Sequence, residues 1–200
     1  MVLLFGLAAF IATMIGGLLA LRLRDRLHLI LGFSAGAVIA VAFFDLMPEA
    51  LELAGEAYTT DIIFATMGVG FLLYLLLDRL LVLHSHAEED AHESSRAHAK
   101  ASSFTLHSML DGVGVGFAFQ VSPAVGLVVA AAVLAHDFSD GINTVNVVSR
   151  HGGSRAKALK WLLLDALAPL VGIGITLLFS VTSATLGLLL ALFAGFFLYI

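Results

Sequence analysis

Two stretches of otherwise apolar sequence carry the same polar pattern. The first reads His107-Ser108-Met109-Leu110-Asp111-Gly112 and the second His136-Asp137-Phe138-Ser139-Asp140-Gly141. Each sets an imidazole and a carboxylate four residues apart, so on a helix both project from one face, one turn apart. Imidazole with carboxylate is a ligand set for Zn²⁺, Fe²⁺ or Mn²⁺, and Asp137 or Asp140 could bridge two ions, with Ser108 as a weak oxygen ligand. The same groups can relay protons.

The elements that must position these residues follow from what lies between them. Gln120-Val121-Ser122-Pro123 is a turn signal that folds two helices antiparallel. His107 lies 13 residues before Gln120 and His136 lies 13 after Pro123. Both histidines therefore sit roughly 20 Å below one surface at about 1.5 Å per residue. Two His and three Asp converge at one depth.

That surface is a membrane surface. Of 200 residues 60% are hydrophobic and 12% charged, far from the balance of a water-soluble domain. Val2 to Leu21 is uncharged and long enough to cross about 30 Å of hydrocarbon. It lacks a basic leading region and a clear small-residue cleavage site, so it reads as a retained helix. With no cysteine, disulfides and thiolate ligands are excluded. The pattern predicts one all-α domain over 1–200, a polytopic bundle of seven transmembrane helices. They are expected at about 2–21, 29–47, 62–77, 100–120, 123–149, 158–179 and 184–200. An acidic loop, Glu49 to Asp61, follows helix 2, which is expected to stop at Pro48, and a His-rich segment fills 84–99.

Charge sets the orientation. The links after helices 1, 3 and 5 hold Arg22, Arg24, Arg26, Arg79, Arg96, Lys100, Arg150, Arg155, Lys157 and Lys160, which are all ten basic residues. The positive-inside rule places these links in the cytoplasm and the N-terminus outside. Hence no Lys or Arg lies at the depth of Asp111, Asp137, Asp140 and Asp165. An ionised Asp at the centre of a spanning helix costs about 2.5–3.5 kcal/mol on insertion scales. Protons or a cation from solution must offset that cost. Asp165, eight residues beyond Lys157, lies about 12 Å in from the cytoplasmic side, close to the level of Asp140.

Bland readings account for less. A polar contact between helices explains one His–Asp pair, but not two at matched depth with further acids and no counter-charge. Gly112, Gly114 and Gly116 read as small-residue packing that lets helices 4 and 5 approach. His84, His86, His92 and His98 could hold metal weakly at the cytoplasmic mouth or belong to a solvated loop. Asp45 and the acidic loop read as a solvated cap that also attracts cations.

The helix 4 pattern His-x-x-x-Asp-Gly and the helix 5 pattern His-Asp-x-x-Asp-Gly resemble those of the ZIP family of divalent-metal transporters. Phe43-Phe44-Asp45-Leu46-Met47-Pro48-Glu49-Ala50 is similar to the end of that family's helix 2, and Asp165-Ala166-Leu167-Ala168-Pro169-Leu170 to its helix 6. The His-bearing segment between helices 3 and 4 agrees. The resemblance implies a binuclear site halfway through the membrane. His107, Asp111, His136, Asp137 and Asp140 match its ligand positions, Asp165 the helix 6 carboxylate, and Ser108 the family's Asn. It also implies import of metal into the cytoplasm, a homodimer, and helices 1, 4, 5 and 6 sliding as a block. Ser108 stands for Asn, Asp140 for Glu and Ser139 for Pro, the last removing an expected kink. The family has eight spanning helices; the seven read here imply a chain short of the last one.

The expected function is therefore secondary transport of a divalent metal across the cell membrane. Zinc is the default cargo, and iron, manganese or cadmium fit the same ligands. The metal is substrate, no cofactor is expected, and nothing points to nucleic acid. No P-loop, His-Glu-x-x-His or nucleophile constellation suggests an enzyme. Two rivals remain. A cation diffusion facilitator also builds its site from two His/Asp-x-x-x-Asp helices, but far apart in the chain and with a soluble C-terminal domain. A proton channel or intramembrane acid–base protein would use the same acids without metal.

Overall fold

The computed structural model describes residues 1–22, 36, 38–86 and 93–199. Among them the secondary structure is all helical. α1 is Val2–Ala20; α2 is the π-helical turn Ala42–Leu46 with its continuation Met47–Ala54; α3 is Thr60–His86 and α4 Glu93–Val121. α5 is Pro123–Arg150, α6 Arg155–Thr176 and α7 Ser183–Tyr199. The architecture is that of an all-α polytopic membrane protein. By length and composition α1, residues 60–77 of α3, α5 and α6 are each able to cross a membrane, and α7 is a shorter apolar helix. α4 carries a polar first third and the site residues, so its composition falls short although its length does not. The expected start of helix 2 and the basic residues Arg24 and Arg26 lie outside the described residues.

The distribution of polarity is the inverse of a water-soluble domain. Large apolar side chains such as Leu3, Leu4, Ile15, Leu72 and Leu76 are exposed, while His107, Asp111, His136, Asp137, Asp140 and Asp165 are buried. Such a surface is stable against lipid. The seven basic residues whose side chains are described, Arg22, Arg79, Lys100, Arg150, Arg155, Lys157 and Lys160, are all exposed.

Three boundaries differ from expectation. The second helix does not stop at Pro48 but runs on to Ala54, so the first part of the expected acidic loop is helical. Proline lacks the N–H of an α-turn and its ring crowds the preceding carbonyls. The π-turn before it widens the spiral, with the Met47 N–H donating to the Ala42 carbonyl, and absorbs the misfit. α3 extends to His86 and α4 begins at Glu93, so both ends of the expected His-rich segment are helical. That segment's composition is polar, but polar residues with good helix propensity extend a helix into water as readily as they end it. α6 starts at Arg155 and ends at Thr176, three residues earlier at each end than the expected 158–179; the Ser154 hydroxyl caps its start by accepting from the Lys157 N–H.

The helices pack as two groups. α1, α4, α5 and α6 interlock through the α4–α6, α1–α5, α4–α5 and α1–α6 contacts, while α7 packs on α3 and α2. Glycines permit the tightest crossings. A Cβ on Gly16 would run into the Phe138 carbonyl, and one on Gly141 into the Thr13 carbonyl, so α1 and α5 touch backbone to backbone. The glycines after Asp111 do not mediate the α4–α5 approach expected of them. Gly112 faces the Pro169 carbonyl and Gly116 faces Thr176, both toward α6, while Gly114 faces Phe193 of α7. The reason is angular. A residue one position from Asp111 is turned about 100° from the ligand face and meets a different neighbour.

Candidate metal centre

α4 and α5 bring their two motifs together in the buried interior. One nitrogen or oxygen from each of His107, Asp111, His136 and Asp140 lies within 4.8 Å of the other three, and all four residues are buried. Asp111 Oδ2 is the hub, 3.3 Å from His107 Nε2 and 3.3 Å from His136 Nε2. His136 Nε2 is 3.7 Å from Asp140 Oδ2. Ligands at about 2.0–2.2 Å around a tetrahedral zinc are separated by roughly 3.3–3.5 Å. Three of the six separations in the group, 3.3, 3.3 and 3.7 Å, are close to the edges of that tetrahedron, and the others stay within 4.8 Å.

The hydrogen bonding shows what the group lacks. His136 Nδ1–H donates to the Ala132 carbonyl at 2.9 Å. That bond selects the tautomer with the Nε2 lone pair facing the carboxylates, the way a ligating histidine is commonly oriented. His107 Nε2, Asp140 Oδ2 and both oxygens of Asp137 are buried without a hydrogen bond from the described residues. Several acceptors face one another with few donors between them. Such an arrangement is costly in an apolar interior unless a proton or a cation enters it.

The remaining expected site residues fall into two places. Ser108 and Asp165 form a neighbouring polar cell: the Ser108 hydroxyl donates to Asp165 Oδ1 at 2.8 Å, tying α4 to α6. Asp137 is fully buried beside His136 but stands outside the four-residue group. α5 is one unbroken helix through Ser139, as expected of a serine where the resembling family carries proline. Asp45 is half-buried in the π-turn. His98 is exposed and its ring sits 5.9 Å from that of Trp161. The side chains of His84, His86 and His92 lie outside the described residues.

Sequence reasoning passed over three neighbours. The Thr144 hydroxyl donates to the other oxygen of Asp165, Oδ2, at 2.8 Å. Its spacing was a usable signal, because His136, Asp140 and Thr144 recur every four residues along one face of α5. Phe197 of α7 packs edge-on against both imidazoles, with centroids 4.9 Å from His136 and 5.3 Å from His107. Tyr74 of α3 meets His107 edge-on at 6.2 Å. Both aromatics belong to the helix group that carries none of the expected ligands. An aromatic in an apolar helix has no spacing that marks it as a site residue.

No protein-family model matches the chain. Individual relatives do. The zinc transporter ZupT of Corynebacterium aurimucosum is 29% identical over 221 aligned residues, taking in 100% of this chain and 82% of the relative. The zinc transporter ZupT of Shigella dysenteriae serotype 1 is 26% identical over 84% of this chain and 68% of its own length. The zinc transporter ZIP9 of Micropogonias undulatus is 33% identical over 105 residues, half of this chain and 34% of the relative. The resemblance to the ZIP family carried by the motifs on α4 and α5 is borne out by these relatives.

Proposed function

We propose that this chain, a relative of ZIP-type zinc transporters, carries zinc across the cell membrane into the cytoplasm through the buried His/Asp group of α4 and α5. The observation that carries the reading is the four-residue group itself. Two imidazole nitrogens and two carboxylate oxygens lie within 4.8 Å of one another, fully inside an apolar bundle. His107, Asp111, His136 and Asp140 form the first metal position. Asp165 and Ser108 form the second, with Thr144 orienting the carboxylate, and Asp137 is the carboxylate between them. The site is thus binuclear. Iron, manganese and cadmium fit the same donors less specifically, and the metal is cargo, not a resident cofactor. The protein acts as a transporter and not as an enzyme, and works as a homodimer.

The seam between the two helix groups supports the direction of motion. All proposed ligands lie on α4, α5 and α6, whereas Phe197 and Tyr74 reach the imidazoles from α7 and α3. Sliding of α1, α4, α5 and α6 past the other helices uncovers the imidazoles without separating the ligands from one another.

Metal uptake into proteoliposomes tests the proposal, with zinc, manganese and iron(II) offered separately. Zinc uptake by the intact chain that His136→Ala and Asp140→Ala each reduce by more than tenfold is the expected result. Uptake unaffected by either substitution would place the route elsewhere. One observation favours a second reading. The two unpartnered oxygens of Asp137 are satisfied by a proton as well as by a metal. A proton relay predicts proton flux and no metal uptake by the intact chain.

A further inference from the structure

An open apolar groove runs along the outer face of the bundle between α4 and α6, with a volume of about 460 Å³. Leu106 and Met109 form one wall; Trp161, Leu164, Ala168 and Val171 form the other. Leu164 and Val171 are 43% and 54% exposed, so the groove faces the lipid. From Trp161 to Val171 it is roughly 15 Å long, half of the ~30 Å hydrocarbon core and so one leaflet deep.

Its rim is different in kind. Lys157 lies four residues before Trp161, and Lys160 four before Leu164, so both continue the groove-lining face of α6 by one turn. Both are exposed. α6 begins only two residues before Lys157, and its unpaired N–H groups add positive potential at the same place. Trp161 sits where the apolar wall meets the basic rim, the level at which tryptophan anchors a membrane interface. His98 packs on its ring from α4 and closes that end. The trough is therefore apolar for one leaflet and cationic at its mouth.

We propose that this groove binds an anionic phospholipid, with the acyl chain between α4 and α6 and the phosphate on Lys157 and Lys160. Charge complementarity selects the occupant: a zwitterionic lipid fills the trough equally well but gains nothing net from the two lysines. α4 carries Ser108 and α6 carries Asp165, joined by a 2.8 Å hydrogen bond, and Met109 and Leu164 of the groove adjoin them in sequence. The lipid thus occupies the outer side of the same helix pair whose inner side holds that contact.

Trp161 is the chain's one tryptophan, which makes the test direct. The full chain is reconstituted in bilayers containing phospholipid brominated near the headgroup end of the acyl chain, and quenching of Trp161 is followed. At equal mole fraction, brominated phosphatidylglycerol should quench with an apparent affinity at least fivefold above brominated phosphatidylcholine, since each lysine near the surface contributes roughly that factor. Lys157→Ala with Lys160→Ala should abolish the preference, the paired arginine substitutions should keep it, and Arg150→Ala should leave it unchanged. Equal quenching by the two lipids would reduce the groove to ordinary boundary lipid and overturn the proposal. A Trp161 shielded from both lipids would mean that protein covers the groove, and would overturn it too. These readouts involve no metal, so they stand or fall apart from the transport reading.

Discussion

Asp165 shows how a buried carboxylate without an imidazole is held. Its two oxygens are met by two hydroxyls, Ser108 from α4 and Thr144 from α5, each at 2.8 Å. Thr144→Val keeps the shape and removes one donor. Hydrogen bonds between helices in membranes average about 0.6 kcal/mol and reach ~1.7. The substitution should therefore destabilise the purified protein by a free energy within that range, read as a lower thermal midpoint, and Thr144→Ser should restore it. An unchanged midpoint for Thr144→Val would mean that the second hydroxyl contributes nothing to holding Asp165. The two legible links were those within one helix: His107 with Asp111 and His136 with Asp140, both a turn apart. The Ser108–Asp165 bond spans 57 residues of sequence, and no local spacing announces it.

At the scale of elements, the crossing of α1 and α5 rests on two glycines that face each other's backbone. Gly141→Ala places a methyl group against the Thr13 carbonyl and the Gly17 N–H group. Overpacking of this kind costs about 1–3 kcal/mol, measurable as a lower thermal midpoint. Gly174→Ala meets nothing within 4 Å and should be neutral or slightly stabilising. Equal effects from the two would refute the backbone contact. The helices themselves were legible because long apolar runs separated by basic links leave few alternatives. Their ends were less so. Pro48 reads as a stop in any local rule, and only the π-turn before it lets the chain continue. The partners of Gly112 and Gly116 were misjudged for a related reason, since sequence gives a residue's angle on its own helix but not which neighbour stands at that angle.

For the whole molecule, the arrangement of two helix groups leads to a linkage prediction. A metal that binds the folded bundle and not the unfolded chain raises stability by RT ln(1 + [L]/Kd), about 2.7 kcal/mol at a hundred times Kd. Zinc should therefore raise the thermal midpoint of the intact chain, and much less that of His136→Ala. Segregation of all ten basic residues to one set of links was the sequence feature that placed the acids at membrane depth. What it could not supply was the second helix group pressing Phe197 and Tyr74 onto the imidazoles, which depends on contacts between α7, α3 and the ligand helices.

The most direct measurement is the local structure around zinc in the loaded protein, by X-ray absorption at the zinc edge. His28, His84, His86, His92, His98 and His151 would first be replaced by alanine to remove the six competing imidazoles. With one zinc per chain, filling the position of His107, Asp111, His136 and Asp140, the expected spectrum shows nitrogen and oxygen ligands at about 2.0–2.2 Å, imidazole scattering from two rings, and loss of one ring's contribution in His136→Ala. Zinc that fails to bind stoichiometrically, or whose spectrum is the same in His136→Ala, would contradict the assignment of the buried His/Asp group as the metal centre.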